Sequence, residues 1–247
     1  MRIILMGYEG HMGREVRTCA EQAEDAEIVC GVDPMIPADT EACVRRFADC
    51  RVEADVIIDF SHHSLTGELL AFAKERRLPL VLATTGHTEE ERAEIRAAAA
   101  EIPLFLAANY SLGIAVLTEL VQRALALYPD AEVEIVEQHH DRKLDAPSGT
   151  ALALFDAVKE IRPEARAVQG RSGREKRRKE DVGMHAVRLG NIVGVHEVMI
   201  GTQHETLTLT HQAFSRGVFA EGSLKAARFL TGKPAGLYDM KDLLRNP

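Results

Sequence analysis

The sequence predicts an α/β protein. A Rossmann-like parallel-sheet domain comes first, and an α+β domain with a mixed, largely antiparallel sheet follows, for substrate binding and oligomerisation. Three observations predict this. Short apolar runs alternate with helical stretches through residues 1–110, the pattern of right-handed βαβ units. A glycine triplet, Gly7, Gly10 and Gly13, sits at the first strand-to-helix turn. From His185 the pattern changes to alternating apolar and polar residues separated by short turns, which reads as antiparallel strands. The expected division is 1–110 for the dinucleotide-binding domain, 111–217 for the second domain, and 218–247 for a C-terminal segment returning to the first.

Ile3–Met6 is an apolar strand that runs into Gly7-Tyr-Glu-Gly-His-Met-Gly13, with a helix following to about Ala23. Gly7 permits a tight turn, Gly10 the close approach of a pyrophosphate, and Gly13 the packing of helix on strand. The other reading of the triplet is a flexible loop. Ile28–Val32 is the second strand and ends at Asp33, where dinucleotide folds read the adenosine ribose. Asp33 would repel a 2′-phosphate, and no Arg or Lys follows it until Arg45, so NADH should serve at least as well as NADPH. Asp33 could also be a simple turn residue before Pro34. Asp39–Glu53 reads as a variable connection with some helix. Val56–Phe60 is the third strand, with Ser61 capping a helix over Leu65–Arg76. Leu80–Ala83 is the fourth strand. Thr84-Thr85-Gly86 lies at its carboxyl end, and Thr88 with Glu89, Glu90 and Glu91 starts a helix to Ala100. Ile102–Ala107 is the fifth strand, and a longer apolar helix runs from Ile114 to about Tyr128, stopped by Pro129.

The stretch Glu134 to Thr150 concentrates the chemistry. Val133, Ile135 and Val136 read as a strand and Ala151–Val158 as a helix, so His139, His140 and Lys143 sit where strand passes to helix. An imidazole exchanges protons near neutrality. Lys143 brings a positive charge for a carboxylate or for proton donation. Ser148 reads as an N-cap, and the amides of Gly149, Thr150 and Ala151 would face an anion. A small acidic substrate fits such a site. The blander reading is a polar turn with surface histidines and an ordinary cap. Farther on, Arg174–Lys179 is a basic run. A solvated loop is favoured over nucleic-acid binding, since no aromatic residue is interleaved and the chain is acidic overall. A lid over an anionic ligand is a third reading. The last helix is expected over Val218–Leu230 and a short closing segment over Leu237–Leu244.

Composition narrows the function classes. The 247 residues include 28% charged and 46% hydrophobic residues, the balance of a soluble globular protein. A net charge of −8 argues against general nucleic-acid binding. No apolar stretch reaches the roughly 18 residues a membrane span needs, and Arg2–Met6 is too short for a signal-peptide core. Cys19, Cys30, Cys43 and Cys50 form no Cys-x-x-Cys pair. They read as reduced thiols of a cytoplasmic protein, with Cys19 and Cys30 in the core, and no metal site is indicated.

Glu137-Gln-His-His-Asp-Arg-Lys-Leu-Asp-Ala-Pro-Ser-Gly-Thr150 closely resembles the signature of the bacterial 4-hydroxy-tetrahydrodipicolinate reductases, also called dihydrodipicolinate reductases. The resemblance spans nearly the whole chain. The loop Gly7–Gly13, Ala83–Gly86, Ala107–Tyr110, Arg188–Gly194 and Gly236–Met240 resemble further family blocks. It implies NADH- or NADPH-dependent reduction of a cyclic imine dicarboxylate, with loss of water, in lysine and diaminopimelate biosynthesis. It implies that His139 is the acid/base residue and Lys143 the proton donor, with His140, Ser148, Gly149 and Thr150 binding substrate. The cofactor contacts it implies are Gly7, Tyr8, Glu9, Gly10, His11, Met12, Asp33, Ala83, Thr84, Thr85, Ala107, Ala108, Asn109 and Tyr110. It further implies a homotetramer joined through the second sheet. His11 and Pro34 stand where many members carry Arg, which supports NADH. Two other functions are a related amino-acid semialdehyde or homoserine dehydrogenase, and a catalytically silent dinucleotide sensor. Neither accounts for His139, His140 and Lys143 together with Ser148-Gly149-Thr150.

Overall fold

The computed structural model describes residues 1–245; Asn246 and Pro247, the end of the expected C-terminal segment, lie outside them. The chain divides into two compact units. One is Met1–Ser111 with the stretch from Arg216 onward, and the other is Leu112–Ser215.

The first unit begins with β1 (Arg2–Met6), α1 (His11–Glu21), β2 (Glu27–Val32), the two-residue β3 (Cys43–Val44) and β4 (Val56–Asp59). It continues with α2 (Thr66–Arg76), β5 (Leu80–Leu82), α3 (Glu89–Ala98) and β6 (Pro103–Leu106). Ile3, Ile4, Leu5, Met6, Val56, Ile57 and Ile58 are all fully buried, as expected for parallel strands covered on both faces. Thr88 and Glu91 form a reciprocal capping box at the start of α3. One local expectation fails. Ser61 caps no helix; its amide and hydroxyl both bond Asp59 Oδ1, at 3.0 and 2.5 Å. His62 caps the 3₁₀ turn His63–Leu65 that precedes α2 instead. Within Asp39–Glu53 the two-residue β3 and the 3₁₀ turn Phe47–Asp49 form, the latter being the helical part expected of this connection. The thiols also differ from expectation. Cys30, Cys43 and Cys50 are buried and Cys19 is only half-buried; Cys43 lies in β3 and Cys50 belongs to the same core cluster as Cys30.

The second unit contains α4 (Leu112–Leu127), β7 (Glu132–His139), α5 (Gly149–Ile161), β8 (Arg166–Gln169), β9 (Asp181–Arg188), β10 (Gly194–Gly201) and β11 (Thr206–Ala213). Its sheet has the order β11-β10-β7-β9-β8. Leu117 and Val121 of α4, with Leu154 and Val158 of α5, pack on Val133, Ile135, Val182, Met184, Val198 and Ile200. Because side chains alternate along a strand, the face that begins with Val133 and Ile135 continues with Glu137 and His139. The expected antiparallel trio is only partly formed. β10 and β11 pair antiparallel, but β7 lies between β9 and β10, parallel to the first and antiparallel to the second. Alternation identifies strands and one face of each, but not their neighbours.

The basic run Arg174–Lys179 is a loop, exposed except at the half-buried Arg177, as the sequence suggests. Arg171 bonds the buried Asp181 at 2.9 Å. Arg177 is paired with Glu134 and donates to the Val133 carbonyl at 3.1 Å, and Lys179 reaches Asp130 at 2.8 Å. Arg171 and Arg177 thus fasten the stretch to β9 and β7.

The chain then returns to the first unit as α6 (Gly217–Leu230), β12 (Gly236–Tyr238) and α7 (Met240–Arg245). β12, a strand not anticipated from sequence, pairs parallel with β6 and completes a seven-stranded sheet of order β12-β6-β5-β4-β1-β2-β3. Phe229 of α6 meets Phe105 edge-on at 5.9 Å, and Arg228 is paired with Asp25 at 2.6 Å.

Candidate active site

In the first unit the glycine loop has the shape of a phosphate cradle. Gly7 has φ +72°, and a Cβ there would lie 2.6 Å from the Phe60 carbonyl oxygen. A Cβ on Gly13 would overlap the carbonyl oxygens of Gly7 and Tyr8, so only glycine lets α1 start this close to its own loop. Gly10 caps α1 without a side-chain bond, and no acidic residue occupies the first turn. The positive end of α1 is therefore left without local compensation, as an anion site requires. Asp33, at the end of β2, is buried. Its Oδ2 accepts from the Glu9 amide and its Oδ1 from the Met35 amide, both at 3.0 Å. These bonds fix a carboxylate beside the loop, where a ribose hydroxyl could be read.

His11 and Pro34 are exposed and place no Arg or Lys at these positions. Arg14 and Arg17 are turned toward Glu9, at 3.7 and 3.5 Å, and Arg17 lies over the Tyr8 ring at 4.1 Å. Ala83, the buried Thr84 and the exposed Thr85 follow β5; Ala107, Ala108 and Asn109 follow β6. Asn109 Oδ1 accepts from the Ser111 amide at 2.8 Å. Tyr110 is buried, and its hydroxyl donates to the carbonyls of Leu82 (2.8 Å) and Phe105 (3.1 Å). Its ring therefore pins β5 to β6, and only its backbone is left to meet a ligand. These features fit a dinucleotide.

The acid/base cluster belongs to the second unit. His139 is the last residue of β7, and its Nδ1 lies 2.5 Å from Glu137 Oε2. Arg188, paired with His139 across β9 and β7, donates to both Glu137 oxygens, Nη1 to Oε2 at 2.8 Å and Nη2 to Oε1 at 2.9 Å. The Ser148 amide donates to Oε1 at 3.1 Å. Burial pushes the Glu137 carboxyl up, but Arg188 and His139 outweigh it and hold the group below its ordinary value. His196 of β10 sits edge-on to His139, with ring centroids 5.2 Å apart. Burial, helped by His139, pushes it down to about 4, so it is neutral near pH 7.

Ser148 caps α5, its hydroxyl accepting from the Ala151 amide at 3.2 Å and lying 3.1 Å from His196 Nε2. With its amide given to Glu137, Ser148 ties the α5 start to the acid/base cluster. Gly149 and Thr150 begin the helix itself. Lys143 Nζ is 2.8 Å from Asp145 Oδ1, and Lys143 holds the Asp145 carboxyl below its usual value. His140 closes a turn in which its carbonyl accepts from the Lys143 amide at 3.2 Å. A Cβ on Gly194 would lie 3.2 Å from His139 Nε2, so the absence of a side chain there keeps that nitrogen uncovered on one side.

The sequence thus located His139, His140, Lys143 and the α5 start on one connection. It missed Glu137, Arg188, His196 and Gly194 as parts of the site. The two-residue spacing of Glu137 and His139 was a usable signal, because it puts both on one strand face. Arg188 and His196 could be placed only once β9 and β10 were known to flank β7. Among the described residues no group of three or more His, Cys, Asp or Glu side chains could hold a metal ion, and no helix is long and apolar enough to cross a membrane.

Family models for the N-terminus and the C-terminus of dihydrodipicolinate reductase match residues 1–110 and 113–244. The 4-hydroxy-tetrahydrodipicolinate reductase of Clostridium tetani (strain Massachusetts / E88) is 43% identical over 249 residues, covering 100% of this chain and 98% of the relative. That of Caldanaerobacter subterraneus subsp. tengcongensis is 44% identical over 248 residues, covering 99% and 98%. Among solved structures, a dipicolinate-bound dihydrodipicolinate reductase from Paenisporosarcina sp. TG-14 shares the fold with a TM-score of 0.82 at 24% identity, covering 97% of each chain. A diaminopimelate (DAP) dehydrogenase of C. glutamicum, in complex with DAP, shares it more loosely, with a TM-score of 0.61 at 15% identity, covering 100% of this chain and 96% of that one.

Proposed function

Because the chain belongs to the dihydrodipicolinate reductase family, we propose that its first unit holds NADH or NADPH and that its second unit binds and protonates 4-hydroxy-tetrahydrodipicolinate. The protein is an NAD(P)H-dependent oxidoreductase of lysine and diaminopimelate biosynthesis. The reaction consumes one hydride and one proton and releases one water, giving tetrahydrodipicolinate. The observation that carries the residue assignment is the cluster at the end of β7, where a buried carboxylate orients His139 and bonds the Ser148 amide at the start of α5, with Lys143 on the connection between them.

The bound dinucleotide supplies the hydride. Everything else falls to the chain's own residues. The first-turn amides of α5 at Gly149 and Thr150, with His140, hold the substrate carboxylates. Ser148 sets their position through its cap and its bond to Glu137. Lys143, as an ammonium, donates the proton that balances the hydride. His139 gives or takes protons through Nε2, the acid/base service that loss of water requires. In the first unit, Gly7, Tyr8, Glu9, Gly10, His11 and Met12 surround the phosphates. Asp33 reads the ribose, and the backbones of Ala83–Thr85 and Ala107–Tyr110 line the rest of the dinucleotide.

NADH is the preferred cofactor in this reading. A buried carboxylate at Asp33, with Pro34 after it, disfavours a 2′-phosphate. Asp33→Ala should weaken NADH binding and raise the relative use of NADPH, read as the ratio of kcat/KM values. An unchanged ratio would remove Asp33 from the ribose. A homotetramer joined through the open face of the second sheet is supported by the half-buried Val136, Gln138, Val195 and Glu197 there. Light scattering at assay concentration tests it, and a monomer mass would refute it. A cytoplasmic location agrees with four free thiols.

A further inference from the structure

Glu137 is 1% exposed, yet it carries no substrate-facing atom in the proposed chemistry. Its oxygens are nevertheless fully used. Oε2 meets His139 Nδ1 and Arg188 Nη1; Oε1 meets Arg188 Nη2 and the Ser148 amide. Four donors converge on one carboxylate, so a proton on either oxygen would face another donor. An ionised carboxylate can only accept, and His139 Nδ1 must therefore carry hydrogen. We propose that Glu137 is a positioning residue for the reaction: it fixes neutral His139 as the Nδ1–H tautomer and stabilises its imidazolium, while Arg188 keeps Glu137 ionised. The proposal rests on the reading of His139 as the acid/base residue.

The consequence falls on Nε2. In the neutral ring it is bare and can accept a proton; in the charged ring it donates one. Without Glu137 the ring could take either tautomer, and in the Nε2–H form Nε2 has no lone pair left to accept a proton. The surrounding charges sharpen this. Glu137 lies on the same strand as His139, Arg188 comes from β9, the neutral His196 from β10, and the Lys143–Asp145 pair from the connection before α5. With Glu137 ionised, two cations are balanced by two carboxylates. Neutralising Glu137 leaves Arg188 and Lys143 against Asp145 alone, a setting that disfavours the imidazolium. Arg188 also donates to the Asp145 carbonyl, so the residue that holds Glu137 also restrains the connection that carries Lys143.

The test is nitrogen NMR of the histidine rings in the full-length protein, with the His139 signal assigned by its loss in His139→Gln. Wild-type His139, when neutral, should be the Nδ1–H tautomer. In Glu137→Gln the tautomers should mix, and the acid limb of the kcat/KM profile should move. Turnover should fall by about 10²–10⁴-fold, with NADH affinity unchanged. A neutral wild-type His139 protonated at Nε2 would overturn the proposal even if Glu137→Gln does not fold. So would a folded Glu137→Gln with the wild-type tautomer and pH profile. Full turnover by His139→Gln would instead sink the acid/base reading itself, and the ring spectrum tells that failure apart.

Discussion

Gly194→Ala adds one methyl group directly against the His139 ring. The new Cβ would lie 3.2 Å from His139 Nε2, 3.6 Å from its Cδ2 and 3.9 Å from His196 Cε1. The backbone at Gly194 is not left-handed, so alanine adds no backbone strain and the effect is one of contact. His139 cannot retreat easily, because its other nitrogen is held 2.5 Å from Glu137, which Arg188 holds in turn. A hydrogen-bond partner of Nε2 must come within about 2.7–3.2 Å, and the methyl would occupy part of that shell. Overpacking of this kind costs about 1–3 kcal/mol of stability. Displacing an acid/base group by a fraction of its hydrogen-bond length should cost about 10²-fold in kcat/KM. Affinity for NADH, set in the other unit, should not change. The assay follows loss of nicotinamide absorbance with substrate made in situ by the preceding synthase, and thermal unfolding serves as the control. A folded variant with turnover within twofold of wild type would show that Nε2 is not the reacting nitrogen.

Three further outcomes follow from the same geometry. Gly13→Ala should abolish measurable NADH binding, since its Cβ would overlap two loop carbonyls; titration by cofactor fluorescence that gives wild-type affinity would contradict the cradle. His196 has a folded pKa of about 4 against an ordinary value near 6.5, so its contribution to stability is fully present above pH 6.5 and is lost as pH falls toward 4. The loss amounts to about 3 kcal/mol, and denaturant unfolding of His196→Gln should show a flatter profile across that window. Asp181 is held far below the usual carboxylate range, by Arg166 first and then by the Arg178 amide and Arg171. Its contribution is present above pH about 4 and is lost in stronger acid, so Asp181→Asn should lower Tm at pH 7 and lose the difference from wild type at low pH.

Much of the fold was legible because its signals are local. Runs such as Ile3–Met6 and Val56–Ile58 are apolar because both faces of a parallel sheet are covered, and Thr88 with Glu91 announces α3 by its capping chemistry. What escaped was pairing. β12 is three residues long, and only its partner β6 makes it a strand. The insertion of β7 between β9 and β10 leaves no mark in the alternation of any one of them. The site follows the same division. His139, Lys143 and Ser148 stand close in sequence, so their chemistry could be read together. Arg188 and His196 are 49 and 57 residues beyond His139 in the numbering, and only strand order brings them beside it. The exposed basic run was legible as a loop, but loop composition is blind to Asp181 and Glu134, whose carboxylates take up Arg171 and Arg177.

The most direct test of the assigned site is a side-by-side measurement of kcat/KM for wild type, His139→Gln and Lys143→Ala, with synthase-generated substrate and NADH, alongside NADH affinity for each. The account predicts synthase-dependent turnover by wild type and losses of about 10²–10⁴-fold in each variant with NADH affinity unchanged. Folded variants that turn over like wild type would contradict it and move the chemistry away from the end of β7.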